Sequence, residues 1–282
     1  LLVFFWALSL YAFHRALSGD RGFWSLTGLA LGLGLLSKYT MLLQHVALAA
    51  YLAAFDRRRL RTPGPYVALG VSLLCLSGVL WWNATHDWVS FRHTASIGQS
   101  DDGVSASGLV AFLGGQLGAV SPVLLGLFVW ALWTCARRLR DRDAALLLAS
   151  AGVPLAFYAC VSVFRTPEPN WPVAAYVAAA VALGWAWSRS PRSPRMRRLA
   201  VAGIALGVAV GAAIRFGDIA YVAASADDPG RDAGRIRLLG VRLDPDRDPT
   251  NELRGGRELG AAVGRRLTDS AGVAPFVFSD RY

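Results

Sequence analysis

The sequence predicts an all-α polytopic membrane protein, and three observations carry that prediction. Of its 282 residues 54% are hydrophobic, and the mean hydropathy is +0.40. Apolar runs recur at close to the ~20 residues that a helix needs to cross a bilayer. The loops between them alternate in charge, with arginines gathered on every second connection. A net charge of +10 would suggest a nucleic-acid partner in a soluble protein. Here most arginines lie in short loops between apolar runs, so the charge reports topology and no nucleic acid is called for.

About eight segments follow in order: Leu1–Leu17, Phe23–Ser37, Tyr39–Phe55, Tyr66–Trp82, Leu109–Thr134, Ala144–Phe164, Trp171–Trp187 and Leu199–Ile214. Leu1 is not Met and lies inside an apolar run, which leads us to expect residues upstream and a truncated first span, not a signal peptide. The basic connections are Arg15–Arg21, Asp56–Pro65, Arg137–Asp143 and Ser188–Arg198. Positive loops stay in the cytoplasm, which places Ser37–Thr40, Asn83–Ser107, Arg165–Asn170 and the tail after Arg215 outside. Glycines four apart (Gly28 and Gly32, Gly114 and Gly118, Gly203, Gly207 and Gly211) predict close helix packing. Cys75, Cys135 and Cys160 fall in apolar spans without metal-ligand or disulfide spacing and read as packing residues.

Residues 1–214 thus form a multi-span domain, and 215–282 an incomplete extracytoplasmic region. Ala224–Gly256, rich in Asp, Arg, Pro and Gly, reads as loop. Asn251–Leu267 has helical spacing and Pro275–Phe278 is a short strand candidate, the start of a small α/β domain.

The polar chemistry collects on the outer side. Lys38, the only lysine, ends an apolar helix at a sharp turn. Either it snorkels to the headgroups, or with Tyr39 it holds an anionic group such as a lipid phosphate at the membrane face. The longest outer loop runs Trp81 to His93. Trp81, Trp82, Trp88 and Phe91 suit an interfacial belt; Asn83, His86, Asp87, Arg92 and His93 add polar and titratable groups. Aromatic faces beside polar side chains also suit sugar rings. The pair Asp101–Asp102 reads as solvated acid, and Asn83-Ala84-Thr85 fits a glycosylation sequon. The third outer loop is stiffened by Pro167, Pro169 and Pro172, and holds Arg165, Glu168, Asn170 and Trp171 at the surface.

Three motifs in register on one face carry a resemblance: Gly-Leu-Gly-Leu-Leu-Ser-Lys-Tyr-Thr at Gly32–Thr40, Trp-Asn-x-x-His-x-Trp-x-Ser-Phe at Trp82–Phe91, and Glu-Pro-Asn-Trp-Pro at Glu168–Pro172. With Asp-Pro-Thr-x-x-Leu-x-Gly at Asp248–Gly255, they resemble bacterial family-39 glycosyltransferases of the GT-C type, relatives of protein O-mannosyltransferases and lipid A aminoarabinose transferases. The resemblance implies transfer of a sugar from a polyprenyl-phosphate donor to a lipid, glycan or protein acceptor. It sets that reaction at the outer face of the bacterial cytoplasmic membrane. It implies an acidic general base in the first outer loop. That loop is expected upstream of Leu1, so no catalytic residue is assigned and the chain alone is expected to be inactive. It implies Lys38 as partner of the lipid phosphate and the two outer-loop motifs as cavity walls. No cofactor is called for beyond the lipid-phosphate sugar as donor substrate, and a divalent metal is left open but not indicated. Arg257 after Gly256 and the stretch His93–Ser100 depart from the family pattern and leave the acceptor open. The rival reading is a polytopic transporter or lipid flippase, which would place charges near mid-membrane and use paired broken helices. Neither feature is evident in the sequence.

Overall fold

A computed structural model describes residues 1–97, 106–164, 168–189, 194, 197–209, 211–212, 236–238 and 241–243. The chain divides into two compact units, Leu1–Gly207 and Val208–Tyr282. The first is helical: α1 (Leu2–Leu17), α2 (Phe23–Ser37), α3 (Leu42–Phe55), α4 (Pro63–Thr85), α5 (Val89–Ile97), α6 (Ala106–Val120), α7 (Pro122–Ala136), α8 (Arg142–Val161) and α9 (Val173–Ser188). Residues 197–209 are also helical.

Helices therefore occupy the expected segments, but fewer are of spanning length. Only α4 and α8, among the described residues, are long and apolar enough to cross a membrane, or three spans if the bent pair α6–α7 counts as one. At ~1.5 Å per residue, the 16 residues of α1 reach about 24 Å against a hydrocarbon core of about 30 Å. The single segment Leu109–Thr134 is corrected to two helices, bent by 107°. The break has a local cause. Ser121 caps α7 by accepting from the Leu124 amide, Pro122 follows at the first turn, and Ser121 itself sits at φ 74°.

The core is aromatic and alanine-rich, centred on Trp6, Phe13, Met41, Tyr51 and the Ala174–Ala186 stripe of α9. α2 and α4 run parallel and touch backbone to backbone. A side chain on Gly28 would collide with the Ala68 carbonyl, and one on Gly32 would lie 2.6 Å from Cys75 Cβ. Gly64 likewise leaves room for the Trp24 indole. The small-residue signal is thus correct for Gly28 and Gly32, whereas Gly114, Gly118 and Gly211 face open space. Gly203 packs on Val123.

One buried polar chain ties α1, α3 and α8 together. Trp6 Nε1 donates to Ser150 Oγ (3.2 Å), Ser150 Oγ to Gln44 Oε1 (2.8 Å), Gln44 Nε2 to Ser9 Oγ (3.4 Å), and Ser9 to the Trp6 carbonyl. Satisfied in this way, these groups avoid the cost of bare polar atoms in an apolar interior.

In the second unit Ile236–Leu238 pairs antiparallel with Val241–Leu243. This corrects the loop expected over Ala224–Gly256: the alternation Ile-Arg-Leu and Val-Arg-Leu was hidden in a window rich in charge and glycine. The tail segments Asn251–Leu267 and Pro275–Phe278 and the motif Asp248–Gly255 lie outside the described residues, as do Asp101 and Asp102.

Candidate site at the aromatic end of the bundle

The helix order gives the first unit two unlike ends. At one, the arginine loops are tied to each other. Arg59 Nη2 donates to the Leu17 carbonyl (2.6 Å) and Arg59 Nε lies 3.6 Å from Asp56, Arg15 Nε donates to Asp20 (2.9 Å), His14 meets Asp143 at 3.1 Å, and Arg189 meets Asp141 at 3.4 Å.

The other end gathers three of the motifs. α2 stops at Lys38, whose backbone turns extended (φ −163°, ψ 132°) before a single 3-10 turn, Tyr39–Met41. Gly34 is what allows so tight a stop. Met41, fully buried, folds back onto it, and a side chain there would lie 2.6 Å from Met41 Cγ. The turn does not form the simple hairpin expected of two adjacent spans: α3 leaves α2 and packs on α8. Lys38 is exposed and makes no ion pair among the described residues.

Beside it, Tyr39 packs on Phe91 of α5 (ring centroids 5.7 Å), which in turn packs on Trp88 (5.8 Å). On the other side, the Tyr158 hydroxyl of α8 lies 3.4 Å from Thr40 Oγ1, and the Tyr158 ring is 6.0 Å from that of Trp171. The Lys38 turn therefore sits between the Trp88–Phe91 segment and the Trp171 loop. Tyr158 is the link that sequence reasoning missed. It lies inside an apolar span, 118 residues from Thr40, and no pattern announces it.

The α4–α5 junction is strained in a defined way. The Asn83 carbonyl accepts from the amides of His86 (3.1 Å) and Trp88 (2.9 Å), and this forces Asp87 and Trp88 to φ 53° and 57°. Two successive left-handed residues without glycine cost roughly 1–2 kcal/mol each. The turn holds Trp88 out, 44% exposed, and lays His86 flat on Trp82 at 4.3 Å, where its Nδ1 also lies 2.8 Å from the Trp82 carbonyl. Asn83 itself is fully buried, donating to Val79, with its Oδ1 lacking a partner among the described residues. What it contributes is therefore the turn and not an exposed contact, and a buried amide is a poor glycosylation acceptor.

Glu168 and Asn170 are exposed, and their carbonyls cap the entry to α9 by accepting from Trp171 and Val173. Pro169 packs on Gly115 of α6, where an added Cβ would lie 3.1 Å from its ring. Arg92 is exposed on α5. Arg165, Thr166 and Pro167 lie outside the described residues. Among the described residues no cluster of three or more His, Cys, Asp or Glu side chains could hold a metal ion. Among the described residues this end thus offers two exposed cations without an ion pair, Lys38 and Arg92, beside exposed acid and amide groups and aromatic faces.

Residues 1–82 match the family model of dolichyl-phosphate-mannose-protein mannosyltransferases. The chain is also 30% identical over 210 residues to the lipid A galacturonosyltransferase RgtD of Rhizobium johnstonii. That match covers 73% of this chain and 44% of the relative, so the chain spans less than half of the relative's length. No solved structure matches.

Proposed function

We propose that this chain, which is of the GT-C membrane glycosyltransferase kind, belongs to an enzyme that moves a sugar from a polyprenyl-phosphate donor to an acceptor. In this reading the eight apolar segments lie in the bacterial cytoplasmic membrane. The aromatic end faces outward, and residues after Arg215 form an extracytoplasmic α/β region. The observation that supports it best is the placement of Lys38, which makes no ion pair among the described residues, between two aromatic loops. The relative named above acts on lipid A, which favours a glycolipid acceptor over a glycan or protein.

The chemistry follows from where charge develops. The acceptor hydroxyl attacks the anomeric carbon, the bond from that carbon to the phosphate oxygen breaks, and the polyprenyl phosphate leaves with an added negative charge. An ammonium placed beside that phosphate is worth most in the transition state, as charge builds on the leaving oxygen. Lys38 takes that role. Trp88, His86 on Trp82, and Trp171 flank the sugar and its carrier, with Arg92, Glu168 and Asn170 as polar contacts. The base that removes the acceptor proton is assigned to none of these.

The test is transfer from a polyprenyl-phosphate sugar by the full-length enzyme carrying Lys38→Ala or Lys38→Arg. A charge-assisted hydrogen bond contributes roughly 1.5–3 kcal/mol, so alanine should weaken donor use by about tenfold to a hundredfold. Arginine, a wider planar fork, should restore only part of it. Full activity in the alanine variant at equal membrane insertion would refute the role.

The transporter reading gains one feature, the bent pair α6–α7. It lacks a matching bent pair among the described residues.

A further inference from the structure

At the arginine end, away from Lys38, α1, α8 and α9 enclose a groove of about 590 Å³ in the flank of the bundle, within the ~300–1,000 Å³ usual for ligand sites. Each helix gives it a single face: α1 from Ala7 to His14, α9 from Val177 to Trp185, and α8 at Leu146 and Leu147. α1 is fastened to α8 on either side of it, by Trp6–Ser150 deep in the bundle and by His14–Asp143 at the mouth. Between those fastenings the walls are apolar, and Tyr11 and Val181 on the rims are 52% and 50% exposed.

Two guanidinium groups flank the mouth, held there by aromatic walls. Arg15 lies 4.8 Å over Phe23 and donates to the Tyr11 hydroxyl; Arg189 lies 4.4 Å over Trp185. Arg15 uses three of its N–H donors on Asp20 and Tyr11. A guanidinium has five, so donors remain for a further oxygen acceptor. An apolar slot opening to lipid, with spare cationic donors at its interfacial end, has the polarity of one amphiphile. We propose that the groove is a binding site for a phospholipid, one acyl chain lying between α1 and α9 and its phosphate met by Arg15 and Arg189. The site is independent of the donor site at the other end.

Gly184 supplies the test, because it lines the groove and a Cβ there meets nothing within 4 Å. Leucine at this position fills the slot, and it favours helix over glycine. The chain is reconstituted in phospholipid vesicles containing a phospholipid with a photoreactive acyl chain, and the labelled peptides are mapped. Label should concentrate on the groove faces of α1 and α9. Gly184→Leu should lower it about tenfold, as losing a few buried methylenes does, while label near exposed Leu74 of α4 stays constant. Arg15→Gln with Arg189→Gln should lower labelling by the phospholipid but not by a photoreactive fatty alcohol, which has no phosphate. Label spread evenly over all lipid-facing helices, or unchanged by Gly184→Leu, overturns the proposal. If the leucine variant does not fold, the paired arginine variant decides by the same readout.

Discussion

The two ends of the helical unit use charge in opposite ways. At the arginine end, Asp20, Asp56, Asp141 and Asp143 each meet a basic partner, and Arg59 and His14 reach across to other loops. At the aromatic end, Lys38, Asp87, Arg92 and Glu168 are exposed and make no ion pair among the described residues. Contacts between segments there are made by rings, Tyr39 with Phe91 and Tyr158 with Trp171. At one end charge mainly ties loops together, with N–H donors of Arg15 left over; at the other the charged groups make no ion pair among the described residues.

The largest expected effect comes from cutting the link that keeps Lys38 level with the α4 turn. Gly28→Leu drives a side chain into the Ala68 backbone, which cannot move aside as a side-chain tip could. It should cost at least about 3 kcal/mol and lower the yield of folded protein. Gly114→Ala, inside α6 with open space around it, should cost nothing and gain up to about 1 kcal/mol from helix propensity. Equal losses in thermal unfolding would show that the α2–α4 contact is not what sets the ends.

Next is the polar chain between the ends. Ser150→Ala strands Trp6 Nε1 and Gln44 Oε1 in a buried setting, a loss of about 1–3 kcal/mol measurable by denaturation in detergent. A neutral result would mean that water or a changed rotamer satisfies both groups.

Smaller still is Arg59→Ala, which removes a hydrogen bond to Leu17 and a partner of Asp56 at a half-buried site. It should cost about 1 kcal/mol and leave transfer per folded molecule unchanged. Lost transfer at full stability would erase the distinction between the ends.

How much of this could be read from residues alone depended on how far apart the partners lie. Helix positions were legible from apolar runs, and Gly28 and Gly32 from their spacing. The break at Ser121 was also written locally, as a serine cap before Pro122, but an unbroken apolar run from Leu109 to Thr134 masked it. The site was legible only as motifs. That Lys38 ends its helix followed from sequence, whereas its neighbours Phe91, Tyr158 and Trp171 come from residues 50 or more positions away. Nor does any pattern reveal that Asn83 turns inward, and the Asp87–Trp88 turn on its carbonyl breaks the rule for non-glycine residues. The links Trp6–Ser150 and His14–Asp143 span 144 and 129 residues and leave no periodic trace.

The central claim is that the two ends face opposite sides of a membrane, with the aromatic end outside. Single cysteines at Arg58 and Trp88, both exposed, in a chain with Cys75, Cys135 and Cys160 replaced, test it in intact cells. A membrane-impermeant thiol reagent should label the cysteine at position 88 and reach the one at position 58 only after the membrane is opened. Labelling at position 58 in intact cells, with position 88 protected, would contradict the claim.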